Sequence, residues 1–78
     1  MTNLIGSPKH KKLKIINISG GTEVRRRLFS LGIHKGDIVQ LDTRSMFRGP
    51  VLIKNLSTDT SVAIGRGIAS KITVDILE

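Results

Sequence analysis

The stretch Val24-Arg25-Arg26-Arg27-Leu28-Phe29-Ser30-Leu31-Gly32-Ile33-His34-Lys35-Gly36-Asp37 decides how this chain folds. Val24, Leu28 and Leu31 recur at i, i+4 and i+7, the spacing that gathers side chains on one face of an α-helix. Thr22 stands where an N-cap is wanted, and Glu23 puts negative charge in the first turn. Gly32 occupies the position at which a helix stop takes a left-handed residue. Ile33 follows it and can pack back on Leu28 in a Schellman-type ending. Lys35-Gly36-Asp37 is a turn. The pattern predicts one helix of about ten residues, too short to stand without docking on a core.

On both sides of the helix the apolar period is that of strands, about two residues. Upstream, Leu13-Lys14-Ile15-Ile16-Asn17-Ile18 reads as a strand ended by Gly20-Gly21. Downstream, strands are expected over residues 38–43 and 51–56, around Val62 and Ile64, and from Ile72 to Ile76. Pro50 can open a strand where its missing N–H does no harm. Ser57-Thr58-Asp59 is a polar turn that makes residues 51–64 a hairpin. Gly65-Arg66-Gly67 lacks the spacing of a phosphate loop and reads as a strand bend. Residues 68–70 can form one turn of 3₁₀ helix. The fold expected is mainly β: a small, partly open barrel of about five strands, with one short α-helix between the first and second. Its inward set is Ile16, Ile18, Val24, Leu28, Leu31, Ile33, Val39, Leu41, Val51, Ile53, Val62, Ile64, Ile72, Val74 and Ile76. Gly6-Ser7-Pro8 and the lysines after them mark residues 1–11 as a flexible basic leader, with residues 12–78 as the barrel domain.

The chain has 78 residues, enough for one domain and one thin core. It has no cysteine, which excludes disulfides, cysteine-based zinc sites, iron–sulfur clusters and thiol catalysis. The missing disulfides fit a reducing compartment, and neither a membrane span nor a signal peptide is expected. Net charge is +7, from 13 Lys and Arg against 6 Asp and Glu. Lys9, Lys11, Lys12 and Lys14 form one basic cluster, and Arg25, Arg26 and Arg27 form another. Such clusters steer a protein toward nucleic acid, anionic lipid or an acidic protein face, or serve as solvated surface.

Catalytic chemistry is not expected. His10 and His34 are the only histidines, and neither stands beside a nucleophile motif or a carboxylate pair. His34 and Asp37 offer two ligands across a turn, short of a dedicated metal site. No metal site and no cofactor is therefore assigned. The two aromatic residues, Phe29 and Phe47, are too few for a base-stacking platform, which argues against nucleic acid. Met46-Phe47, set between Arg44 and Arg48 before Gly49-Pro50, either offers an apolar tip to a protein partner or folds back over the barrel end.

The stretch from Val24 to Asp37 resembles the helix-to-turn signature of the ferrous iron transport protein A (FeoA) family, with its Arg-Leu pair, Leu-Gly-Ile and Gly-Asp. Gly49-Pro50-Val51 is similar to that family's Gly-Pro strand entry. Val62-Ala63-Ile64-Gly65-Arg66 with Ala69, Ile72 and Val74 is similar to its C-terminal pattern. The resemblance covers roughly residues 13–77. It implies an SH3-like barrel in which Leu28, Leu31, Gly32, Ile33, Gly36, Gly49 and Pro50 hold the fold. It also implies a small cytoplasmic accessory protein of bacterial iron uptake, brought to the membrane by its partner, the transporter FeoB with its cytosolic GTPase domain. Arg25, Arg26, Met46, Phe47 and Arg48 are the candidate partner contacts, and Lys9, Lys11, Lys12 and Lys14 a candidate weak contact with an anionic surface. The same fold closes metal-dependent repressors, so a nucleic-acid-binding barrel or a stand-alone relative of the repressor domain is the alternative.

Overall fold

The computed structural model describes residues 1–44 and 49–77. Among these, six strands form one antiparallel sheet: β1 (Thr2–Asn3), β2 (Lys12–Ile18), β3 (Ile38–Arg44), β4 (Val51–Asn55), β5 (Thr60–Ile64) and β6 (Ile72–Leu77). Helix α1 (Gly21–Ser30) links β2 to β3, and the single turn α2 (Arg66–Ala69) links β5 to β6. The strand order is β1-β6-β2-β3-β4-β5. Leu4, just after the strand at one edge, and Ile64, at the end of the strand at the other, belong to the same buried cluster. The sheet is therefore curled on itself, and the architecture is the expected SH3-like one.

Two expectations change at the N-terminus. The helix lies between the second and third strands, because a strand precedes the five that were expected. That strand sits inside the supposed leader: Thr2 pairs with Val74 and Asn3 with Thr73. Leu4 is fully buried, and the Asn3 side chain donates to the Ser70 carbonyl at 2.6 Å. Leu4 and Ile5 supply apolar surface that the glycine, serine and proline after them concealed from a pattern reading. Residues 2–7 are thus part of the sheet and core rather than loose chain.

The core also departs from strict alternation. In β2, Leu13 and Ile15 are buried and Ile16 only half-buried. The pairing with β6 shifts register between Ile15 and Asn17. This β-bulge inserts one residue and reverses the inward parity, so Ile15 and Ile18 both face the core. Ile76, near the end of β6, is 44% exposed although it pairs with Leu13. Leu31 is 37% exposed, because the helix ends at Ser30 and the chain turns away there. Ala69 of α2 is buried and was missed.

Both helix ends are built by backbone. The N-cap is Gly20 at φ 95°, with no side-chain cap bond, so Thr22 lies inside the first turn instead of capping it. A Cβ on Gly20 would meet Val24 Cγ2 at 2.8 Å. At the other end the Ile33 N–H donates to the Leu28 carbonyl (2.9 Å) and the Gly32 N–H to the Phe29 carbonyl (3.0 Å). That is the Schellman pair, with Gly32 left-handed at φ 83°. A Cβ on Gly32 would touch nothing within 4 Å, so the cost of a side chain there is backbone strain alone. We expect Gly32→Val to lower stability by about 1–2 kcal/mol or more in a urea titration. An unchanged midpoint would mean the stop does not depend on the left-handed residue.

Candidate functional site

The helix stop leads into the turn that organises the site. Gly32 to Asp37 is held by one side chain from another strand, Asn55 at the end of β4. Its Nδ2 donates to the Gly32 carbonyl (2.9 Å) and to Asp37 Oδ2 (2.8 Å). Its Oδ1 accepts the Ser57 N–H (3.0 Å), and Ser57 Oγ accepts the Ile38 N–H (3.0 Å). Asn55 is 1% exposed and uses both its donors and its acceptor, as a buried amide must.

Asp37 Oδ2 also accepts the His34 N–H at 2.9 Å, and His34 Nδ1 lies 3.0 Å from it, where the Nδ1–H tautomer donates. Burial alone would push the Asp37 carboxyl up. The bonds from Asn55 and His34 outweigh it and hold the carboxyl below its ordinary value of 3.8. The pair weighed above as two metal ligands is thus occupied with itself. Among the described residues no group of three His, Cys, Asp or Glu is placed to hold a metal ion.

This network stiffens the turn beneath the exposed face of α1. Arg25, Arg26 and Arg27 are all exposed, and among the described residues no lysine or arginine forms an ion pair. Phe29 is 67% exposed, its ring edge-on to His34 at a centroid distance of 4.8 Å. Arg25, Phe29, His34 and Lys35 line one shallow groove with the end of β2; Arg26, Arg27 and Ile68 line another. Arg25 and Phe29 are one turn apart and share a helix face. Pattern reading missed Phe29 as a surface residue. The signal was present: it is a large apolar residue off the Val24–Leu28 stripe.

Of the candidate contacts, Arg25 and Arg26 are together on this face, whereas Met46, Phe47 and Arg48 lie outside the described residues. Gly49 is half-buried and Pro50 exposed, immediately before β4. Leu28 and Ile33 are in the core, and Gly36 is left-handed at φ 95°.

The Asp37 network generates two expectations. Asn55→Ala orphans the Gly32 carbonyl and removes a donor from an ionised carboxylate, so it should cost about 2–3 kcal/mol in denaturant unfolding. A carboxyl with a lowered folded-state pKa adds stability that is complete above its unfolded value and lost as the pH falls through the folded one. The stability gap between the native chain and Asp37→Asn should therefore be full at neutral pH and close below pH 3.8. A gap that is constant with pH would show that the charge of Asp37 is not what stabilises the turn.

The comparisons with known proteins fit this geometry. The FeoA domain model matches residues 3–76, a span that begins at Asn3 in β1. Among solved structures, an iron uptake regulatory protein (FeoA) superposes with a TM-score of 0.82 at 32% identity, covering 97% of this chain and 96% of that one. A FeoA-like protein from Clostridium acetobutylicum gives a TM-score of 0.83 at 22% identity, covering 99% and 87%. A manganese-dependent transcriptional repressor shares the fold, with a TM-score of 0.85 at 21% identity, but the chain spans only 36% of its length. A comparison with curated proteins finds no match. With nearly the whole chain matched by the family model, and its fold shared with a FeoA structure over 97% of its length, this chain belongs to the FeoA domain family.

Proposed function

We propose that the chain is a non-enzymatic accessory protein of bacterial ferrous iron uptake, which acts by binding the cytosolic region of a FeoB-type transporter. The family supports the role in uptake, and one relative with 32% identity is an iron uptake regulatory protein. The observation that carries the contact reading is the outer face of α1: exposed arginines free of ion pairs beside an exposed phenylalanine. Arginine and large aromatic residues are favoured anchors, and unpaired charges speed encounter with an acidic face. Met46, Phe47 and Arg48, chosen from the sequence, are the second part of the proposed surface. Among the described residues no helix is long and apolar enough to cross a membrane.

The test is capture of the transporter from solubilised membranes of the source cell by the purified chain. Retention is expected, with an affinity in the micromolar range of small transient interfaces. Arg25→Glu with Arg26→Glu should slow association and flatten its salt dependence, and Phe47→Ala should shorten the life of the complex. A transporter missing from the native eluate refutes the partner. Equal retention by all variants keeps the partner and refutes the surface.

A further inference from the structure

A second charged surface lies apart from the helix. In β2, Lys12 and Lys14 alternate with the buried Leu13 and Ile15 and are exposed on the outer face of the sheet. Across β3 the same outer face continues, because Lys14 pairs with Ile38 and Gln40 with Lys54. Lys9 and Lys11 extend the row, anchored where the His10 N–H donates to the Leu41 carbonyl (3.0 Å). Two acids lie near this row: Asp75, the register partner of Lys14 on β6, which is 3.3 Å from the N-terminal ammonium, and Asp42, 4.0 Å from His10 Nδ1. Beside the lysines is a shallow apolar depression, in which Ile38, Leu56 and Leu77 surround Lys12. The arginine-bearing helix meets β2 at its other end, by Asn17 and Ile18.

We propose that this outer face, centred on Lys12 and Lys14 with Lys9, Lys11 and Lys54 around them, is a docking surface for a bilayer rich in anionic phospholipid. The residue types favour headgroups over other polyanions. Lysine is a compact, hydrated point charge suited to a diffuse anionic plane, whereas paired phosphate or carboxylate recognition favours the arginine fork. The neighbours are aliphatic, and no aromatic residue described on this face offers a base-stacking platform. Bound this way, the chain would lie on the membrane by its sheet and leave α1 available to a protein.

The experiment uses the full chain and protein-free vesicles, so it is independent of the transporter reading. Vesicles of mixed phosphatidylglycerol and phosphatidylcholine should sediment the chain at low salt and release it as salt rises. Vesicles of phosphatidylcholine alone should not sediment it. Each lysine near an anionic surface strengthens binding about five-fold, so Lys12→Gln with Lys14→Gln should weaken it by about 25-fold. Arg25→Gln with Arg26→Gln, a matched loss of two charges, should leave it within about two-fold at about 0.1 M salt, where charges more than about 10 Å from the bilayer are screened. Thermal melting of each variant checks that both fold. Binding to both vesicle types, or equal loss in the lysine and arginine variants, overturns the assignment. So does duplex DNA that displaces the vesicles at equal phosphate, which would give the face to nucleic acid.

Discussion

The amide of Asn55 is the point on which the rest of the structure turns. It ties the last turn of α1, through the Gly32 carbonyl, to the first residue before β3, through Asp37. It belongs to neither segment, since it arrives from the end of β4. Without it, a helix end and a charged turn would be packed on the barrel with backbone and carboxylate oxygens short of donors. The desolvation penalty of such groups is comparable to a sizeable part of a small domain's net stability. The barrel can therefore carry only one helix, in one register, at this corner. Because α1 has a single fully buried residue, Leu28, this polar clasp also does what a wider apolar stripe does in longer helices.

The division of labour between inside and outside follows. Among the described residues the hydrophobic core is aliphatic, drawn from the curled sheet and from Leu4, Leu28, Ile33 and Ala69. No described lysine or arginine is spent on an intramolecular ion pair. The cationic surface is consequently free of structural duty. It is divided between arginines on the helix and lysines on the sheet, two groups that differ in chemistry as well as in place.

Much of this was legible in residues 24–37. The apolar spacing gave the helix, Gly32 its stop, and Gly36-Asp37 the turn, because each depends on local conformational preference. Strands 51–55 and 60–64 were legible from alternation and a polar turn. What was not legible depends on contacts distant in sequence. Asn55 reads as an ordinary residue of the strand expected over 51–56 until Gly32 and Asp37 are beside it. Leu4 gains its burial only from pairing of β1 with β6. Thr22 is a good cap by type, but the left-handed entry through Gly20 leaves it two residues past the cap. On the outer face of α1, Arg25 and Arg26 were visible as charge, whereas Phe29 was read only as one of two aromatic residues too few for a stacking platform.

The bulge in β2 has a consequence for how this strand can vary in length. Leu13, Ile15 and Ile18 face the core because Ile16 is the extra residue at the register shift. Take Ile16 out, and the remaining order, Lys12-Leu13-Lys14-Ile15-Asn17-Ile18, alternates without interruption and buries the same three side chains. A one-residue deletion usually turns a strand inside out. Here the inward set is indifferent to it, and what the additional residue contributes is the local bend and twist of the strand. The β2 strand thus has two lengths compatible with one core, and the longer one is the curved one.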